Sequence, residues 1–179
     1  MSEKSRFEER LEGGKAFSLG NTVEVVNDVI EKPEVFSDYL ILFSSENSQV
    51  VMRASNGLKR IFDDGTIPFE QHKKAVIELL RNCPHDSARW TLVQLLKKYK
   101  NSLDGQELKE AFSIARRFAL ESEEWITLAQ SMDLLVKLKN HLIEDEELAS
   151  RAVQLSGDDR KTVSKKAENL LKALGANKP

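Results

Sequence analysis

Apolar residues recur along most of the chain at spacings of three and four, which is the pattern of amphipathic α-helices. The clearest stretch is Val50–Phe62, which ends in the motif Gly57-Leu58-Lys59-Arg60-Ile61. Related motifs begin at Leu95, Leu134 and Leu170, at intervals of about 38, 39 and 36 residues. Intervals of this size are typical of helical repeat arrays. Since no strand pattern competes, the chain is predicted to be all-α.

Capping and breaking residues divide the pattern into about nine helices. Asp104 with Glu107 has the spacing of a capping box, and so does Asn21 with Glu24. We expect one helix from Pro33 to Phe43 and another that is capped by Ser122 and runs to His141. The other boundaries are marked by prolines, glycines and polar residues: Ser44–Gln49, Asp63–Thr66, Pro68, Pro84, Asp86, Asn101-Ser102, residues 143–147, Ser156 and Gly175. A single helix pair of this length cannot bury its apolar face, so neighbouring pairs are expected to stack.

The composition suits one domain that buries its own core. The chain has 179 residues, of which 40% are hydrophobic and 31% are charged, and its formal net charge is −2. We expect residues 18–175 to form a single domain, with flexible segments at 1–17 and 176–179. No apolar run approaches the length of a membrane span, no export signal is evident, and Cys83 has no disulfide partner. These features favour a cytoplasmic protein without a membrane partner.

Aligning the motif helices on Leu58, Leu96, Leu135 and Leu171 gives columns of equivalent positions. Two columns are apolar and are assigned to the core: Gly57, Leu95, Leu134 and Leu170, and Ile61, Tyr99, Leu138 and Leu174. A stripe on the opposite face is polar in every repeat. It contains Arg53, Asn56 and Arg60, then Thr91, Gln94 and Lys98, then Gln130, Asp133 and Lys137, and finally Lys166, Asn169 and Ala173.

This polar stripe has two interpretations. It is either the solvated face of amphipathic helices or a binding ridge, since stacked helices present a continuous surface. The motif helices carry net positive charge, and the helices between them carry the compensating acid, notably at residues 144–147. Such segregation would suit an acidic protein or a phosphate backbone. The residues predicted to bind a partner are Arg53, Asn56, Arg60, Gln94, Lys98, Gln130 and Lys137.

The motif resembles the HEAT repeat. Pro33-Glu34-Val35-Phe36 followed by Val50–Ile61 is similar to the proline-opened first helix and the V-R-x-A-A-x-x-A-L-x-x-I second helix of one such unit. Leu11–Ile61 and Arg89–Leu96 also resemble a group of small HEAT-like proteins of unassigned function. The resemblance implies a right-handed α-α superhelix, or α-solenoid, of about four helical pairs, and a binding or scaffolding role.

One departure from the family pattern concerns ion pairs. Family members often carry arginine directly after the first motif valine and pair it with an aspartate, but Val51 occupies that position here. The later repeats contain no consistent Asp and Arg pair, so the sequence does not support an internal ladder of ion pairs. Arg53 and Arg89 are instead expected to act as local caps or surface residues.

We find no catalytic constellation, metal-ligand spacing or phosphate loop, and we predict no cofactor, metal ion or small-molecule substrate. His72, His85 and His141 are scattered, and Cys83 is expected to pack. Trp90 and Trp125 are expected to anchor helix packing. The same tryptophans suggest an alternative hypothesis. Some HEAT-like enzymes that excise alkylated DNA bases line a groove with aromatic residues and an acidic residue, and Asp133 would be the acidic residue in this chain. The leading prediction is a non-enzymatic protein-interaction module, and the alternative is a nucleic-acid-binding protein related to alkylated-DNA repair.

Overall fold

A computed structural model describes residues 5–15, 18–141 and 145–175 of the chain. Of the described residues, 78% are helical, and they form ten α-helices and no strand. The all-α fold class is therefore confirmed. The helices are α1 Glu8–Leu11, α2 Thr22–Glu31, α3 Phe36–Leu40, α4 Ser48–Asp64, α5 Phe69–Asn82, α6 Asp86–Lys98, α7 Gly105–Glu121, α8 Trp125–Lys137, α9 Glu146–Ser156 and α10 Lys161–Ala173.

The chain divides into two compact units, residues 1–92 (unit 1) and residues 93–179 (unit 2). The division falls inside α6, so the single domain over 18–175 stays a prediction. The predicted flexible tail, 176–179, lies outside the described residues, as do residues 1–4 and 16–17 of the predicted flexible N-terminal segment.

The core of unit 1 is a cluster of aromatic side chains next to α4. Phe36 contacts Tyr39, Phe62 and His72, with ring centroids 6.4, 5.8 and 4.5 Å away. The Tyr39 hydroxyl donates a 2.7 Å hydrogen bond to the Ala54 carbonyl, and burial raises the pKa of this phenol well above its usual range. This bond satisfies a polar group that would otherwise be costly to bury.

A glycine in α4 makes room for that tyrosine. A Cβ atom built on Gly57 would lie 2.2 Å from the Tyr39 hydroxyl oxygen and 3.0 Å from a methyl carbon of Val26. The first repeat therefore carries glycine in a column that holds leucine in the other three repeats. This substitution lets the α3 segment approach α4 closely.

The segment before α4 differs from the continuous helix predicted for residues 33–43. It consists of a 3₁₀ turn at Pro33–Val35, the short α3, and a second 3₁₀ turn at Ile41–Ser44. Phe36, Tyr39 and Leu42 are all buried and are three residues apart. Such spacing suits the three residues per turn of a 3₁₀ helix better than a long α-helix.

Residues 5–15, the described part of the segment that was predicted to be flexible, pack against the rest of unit 1. The helix α1 contacts α4, and Phe7 and Leu11 are buried. Arg10 pairs with Asp28 at 2.5 Å, and Ser45 donates a hydrogen bond to Glu8. Phe7 and Leu11 add apolar area to the core, which a sequence pattern of only two residues does not reveal.

Unit 2 is built from α7 to α10 and the end of α6. The helix α8 packs against α7 and α10, and α9 packs against α10 and α7. The predicted capping box of α7 is present, since Asp104 accepts from the backbone of Gln106 and Glu107, and Glu107 accepts from the Asp104 N–H. Glu124, and not Ser122, caps α8 by accepting from Ile126 and Thr127.

The repeat register correctly predicted the innermost residues. The alignment leucines Leu58, Leu96, Leu135 and Leu171 are all buried, and so is the column Gly57, Leu95, Leu134 and Leu170. In the second apolar column, Ile61 and Leu138 are buried, whereas Tyr99 and Leu174 are partly exposed. The apolar periodicity thus identifies the side of each motif helix that faces its own unit.

Candidate partner-binding surface

Arg53 is the one predicted partner-binding residue that the structure buries completely, with 1% of its surface exposed. Its guanidinium donates five hydrogen bonds to the N-terminal segment. Nη1 donates to the carbonyls of Leu11 and Gly13 at 2.6 and 2.7 Å, and Nη2 donates to the Lys15 carbonyl and the Ser18 hydroxyl at 3.1 Å. Nε donates to the Ser18 carbonyl at 2.9 Å. The prediction that Arg53 lies on an exposed stripe is therefore wrong.

The polar stripe begins on a part of each motif helix that neighbouring segments cover, and only its later positions reach solvent in α4. The first position of the stripe faces neighbouring segments, because Thr91 is also buried and Gln130 and Lys166 are half-buried. The later positions, Asn56 and Arg60 in α4, are exposed as predicted. Periodicity gives the direction in which a side chain points but not what covers it.

Arg89 acts as the local cap that the sequence predicted. Its Nε donates at 2.8 Å to the carbonyl of Cys83, the capping residue directly after α5, and its Nη1 lies 3.0 Å from Asp86. Arg53 likewise binds the last carbonyl of α1, at Leu11. Both arginines therefore satisfy backbone carbonyls at helix ends, which have no partner within their own helix.

In unit 2, the predicted site residues surround a network that joins three helices. Lys97 in α6 donates to Gln130 and Asp133 of α8, at 3.0 and 2.6 Å. Lys166 in α10 donates to the second oxygen of Asp133 at 2.6 Å. We call Lys97, Gln130, Asp133 and Lys166 the lysine–aspartate network.

The charges of this network do not cancel, since one carboxylate is shared by two ammonium groups. Between 19% and 30% of each charged side chain is exposed, so the network is accessible from one side. Burial raises the pKa of Asp133, but the hydrogen bonds from Lys166 and Lys97 outweigh it and hold this pKa below its ordinary value. Asp133 is therefore a carboxylate at neutral pH, and the network carries net positive charge.

Two predicted lysines flank the network. Lys98 follows Lys97 at the end of α6 and is exposed, with its ammonium 5.1 Å from the centre of the Tyr99 ring. Lys137 is exposed and lies one helical turn beyond Asp133 on α8. Gln94 is half-buried, one turn before Lys98. The structure thus brings Gln130 into contact with Lys97, whereas Lys98 and Lys137 are exposed residues of the same two helices, α6 and α8.

Sequence reasoning missed this arrangement. The family pattern is a ladder of Asp and Arg pairs, which the sequence did not support. The pairs in this network use lysine instead, at positions that lie in different columns of the repeat alignment. Lys97 directly follows the alignment residue Leu96, whereas Asp133 and Lys166 precede theirs by two and five residues. The offset reflects how adjacent helices are shifted along their axes, which no single helical pattern encodes.

Trp125 corrects a second expectation. The side chain begins α8 and 43% of its surface is exposed, so it does not anchor packing as predicted, whereas Trp90 is partly buried. Asp133, the acid of the alternative hypothesis, lies two turns further along α8 and is paired with two lysines. These two features of the proposed base-excision groove therefore lie apart on the helix.

Cys83 and His72, two further residues considered in the sequence, are packed against apolar or backbone groups of unit 1. Cys83 is buried, and this burial raises the pKa of its thiol. His72 packs edge-on against Phe36, and burial lowers the pKa of its imidazole. Within residues 5–15, 18–141 and 145–175, no three His, Cys, Asp or Glu side chains could together hold a metal ion. None of the described helices combines the length and apolarity that a membrane crossing requires.

The sequence matches no protein-family profile, and no curated protein is significantly similar to it.

Proposed function

We propose that the chain is a non-enzymatic, HEAT-like protein-interaction module whose partner docks on the basic surface of unit 2. This surface consists of the lysine–aspartate network with the flanking residues Lys98 and Lys137. Its partner would be an acidic protein segment, because the two lysines Lys97 and Lys166 share the single carboxylate of Asp133. The observation that carries the proposal is the sharing of Asp133 between Lys97 and Lys166, which leaves a positive surface in a fixed position.

The geometry of the network supports binding better than a solvated helix face would. Lysines that are held by hydrogen bonds lose less side-chain freedom when a partner arrives than lysines that point freely into water. Lys98 and Lys137 would supply further exposed positive charge, where electrostatic attraction speeds association. Arg53 has no place in this surface, and Asn56 and Arg60 belong to the exposed surface of unit 1.

Affinity capture from a lysate of the source organism, with and without nuclease, tests this proposal. We expect wild type to capture a protein in both conditions and the Lys98→Glu/Lys137→Glu variant to lose it. The matched control is Lys109→Glu/Lys161→Glu, which changes the charge of unit 2 equally at exposed positions elsewhere. Arg60→Glu separately reports on unit 1. The melting temperatures of all variants must remain within a few degrees of wild type.

Two outcomes would contradict the proposal. If both charge-reversed pairs capture the same protein as wild type does, the partner does not bind this surface. If capture by wild type disappears with nuclease and weakens steeply with salt, the basic surface binds a phosphate backbone instead.

A further inference from the structure

Trp125 is the one aromatic side chain among the described residues that is exposed, with 43% of its surface open to solvent. In the same part of the chain, no aromatic ring or cationic group stacks on its indole. An indole offers a large apolar area and a π face with negative potential. Tryptophan is also among the residue types that contribute most to the binding energy of protein interfaces. Trp125 is therefore available to a partner.

The turn that leads into Trp125 is acidic. Glu121, Glu123 and Glu124 lie within four residues of it, and no cation lies among residues 121–125. Glu123 is exposed, and the carboxylate of Glu124 is held by two backbone N–H groups of α8 at 3.1 and 2.6 Å. Within the described residues, neither Glu123 nor Glu124 forms an ion pair. Uncompensated acidic groups thus lie next to the exposed ring.

A cation that reaches this turn from a neighbouring turn is already paired. Arg160, between α9 and α10, donates from Nη1 to the Glu123 carbonyl at 3.5 Å. Its Nε and Nη2 donate to the two oxygens of Asp158 at 2.8 and 2.7 Å, so a carboxylate balances its charge. Asp159 and Lys161, the other charged residues there, are both exposed and of opposite sign. Residues 157–161 therefore add no net charge, and the glutamates determine the sign of the potential around Trp125.

An aromatic face beside carboxylates favours a cationic group. A guanidinium is attracted to the face of a tryptophan ring, and neighbouring carboxylates can accept charge-assisted hydrogen bonds from it. Arginine suits this arrangement better than lysine, because its planar group can stack on the ring and donate hydrogen bonds from its edge. A phosphate backbone would be repelled by the same glutamates, so the charges argue against nucleic acid at this position.

We propose that Trp125, together with Glu123 and Glu124, binds an arginine side chain of a basic protein segment, with the guanidinium stacked on the indole. This surface goes beyond the proposed function, because its charge is opposite to that of the lysine–aspartate network. The network requires an acidic segment and Trp125 a basic one, so the two surfaces of unit 2 recognise different sequences.

The probe is an acetylated and amidated heptapeptide of alternating arginine and glycine, titrated calorimetrically into the full-length protein. We expect Trp125→Leu, which removes the π face, to weaken binding at least about threefold, as for an exposed cation–π contact. Trp125→Phe keeps a ring and should weaken binding less. Glu123→Gln should also weaken it, whereas Glu31→Gln, at an exposed position in unit 1, changes the net charge equally and should bind as wild type does.

Two further readouts show whether the ring contacts a cation. In the nitrogen-15 spectrum, the indole N–H signal of Trp125 should shift until the peptide saturates the protein, while that of Trp90 stays in place. A peptide with citrulline in place of arginine keeps the planar group but loses its charge, and it should not bind measurably. Wild-type affinity in Trp125→Leu would overturn the proposal, as would equal binding of the citrulline peptide or an unmoved Trp125 signal.

Discussion

Arg53 in unit 1 and Asp133 in unit 2 are both charged residues of the predicted stripe, but the protein accommodates their charges in different ways. Arg53 is fully buried and is surrounded by four carbonyls and one hydroxyl, with no carboxylate among its hydrogen-bond partners in the described residues. Asp133 is partly exposed and is held by two opposite charges. The charge of Arg53 is stabilised by the dipoles of backbone carbonyls and a hydroxyl, and the charge of Asp133 is stabilised by two lysines.

This difference determines what each residue does for its unit. The carbonyls around Arg53 come from a segment of irregular backbone, so the guanidinium provides donors that this segment cannot obtain from a helix or a sheet. Asp133 and its lysines join side chains of three regular helices. Arg53 therefore ties Leu11, Gly13, Lys15 and Ser18 to α4, whereas Asp133 links side chains of helices that hold their own backbone hydrogen bonds.

The largest effect is expected from Arg53→Met, which keeps most of the side-chain volume but removes all five hydrogen bonds. We expect a loss of about 3 kcal/mol in the free energy of unfolding, because several buried carbonyls lose their donor. Chemical denaturation followed by circular dichroism measures this loss. Arg60→Met, two turns further along the same helix at an exposed position, is the control and should change stability by less than about 0.5 kcal/mol. Equal effects of the two variants would show that the carbonyl cluster contributes little.

The next effect is expected from Gly20→Ala, which tests how closely the backbone approaches Arg53. Gly20 has φ of +51°, and an added Cβ would lie 2.8 Å from the guanidinium carbon. We expect a loss of about 2 kcal/mol from the strained conformation and the clash together. Gly14→Ala is the matched control, since φ is +73° but the nearest Arg53 atom would be 3.7 Å away. Gly14→Ala should lower the free energy of unfolding by about 1 kcal/mol, from backbone strain alone. If Gly14→Ala and Gly20→Ala lower it equally, the clash with Arg53 contributes nothing.

A smaller and pH-dependent effect is expected from Asp133→Asn, at about 1 kcal/mol near pH 7. The pKa of Asp133 is lower in the folded protein than in the unfolded chain, so the unfolded chain takes up a proton first as the pH falls. The contribution of this carboxylate is complete above the ordinary aspartate pKa of about 3.9 and is lost below it. Denaturation at pH 7, 4 and 2.5 should therefore show wild type and variant converging.

Asp159→Asn, at an exposed position in the same unit, controls for the change in net charge. A difference between wild type and Asp133→Asn that persists unchanged at pH 2.5 would mean that the variant acts through packing and not through its charge.

Salt should produce the smallest effect and the clearest contrast between the two residues. At 1 M sodium chloride the screening length falls to about 3 Å, which weakens partly exposed ion pairs. We expect the stability difference between wild type and Asp133→Asn to shrink by roughly half from 0.05 to 1 M salt. The difference between wild type and Arg53→Met should change less, because its hydrogen bonds are buried. If salt changes the stability difference for Arg53→Met more than the difference for Asp133→Asn, the contrast between the two residues is wrong.

The sequence predicted features that depend on neighbouring residues. The Asp104 and Glu107 capping box and the buried leucine columns follow from spacing within one helix, and both are present. The equivalent pattern at Asn21 and Glu24 gives no side-chain cap, and the Asn21 amide nitrogen donates to the Arg10 carbonyl. This contact orients the Asn21 amide toward α1, eleven residues earlier, which local spacing could not reveal.

The surroundings of the candidate site residues depend on contacts between segments that are distant in sequence, and residue spacing does not determine those contacts. Arg53 was assigned to the surface because its helical direction is polar, and its burial depends on a segment about 40 residues earlier that offers carbonyl oxygens. The lysine–aspartate network depends on how α6, α8 and α10 are shifted relative to one another. Exposure of Trp125 similarly depends on where the preceding turn ends and Glu124 begins to cap α8.

The positions of the two tryptophans provide each unit with its own fluorophore. Trp90 is partly buried in unit 1, and Trp125 is exposed at the start of α8 in unit 2. Trp90→Phe and Trp125→Phe would each leave one emitting side chain, whose spectrum shifts as its surroundings change. Unfolding curves that coincide for the two variants would show that both halves of the chain unfold in one cooperative transition, whereas separated midpoints would give each half its own stability.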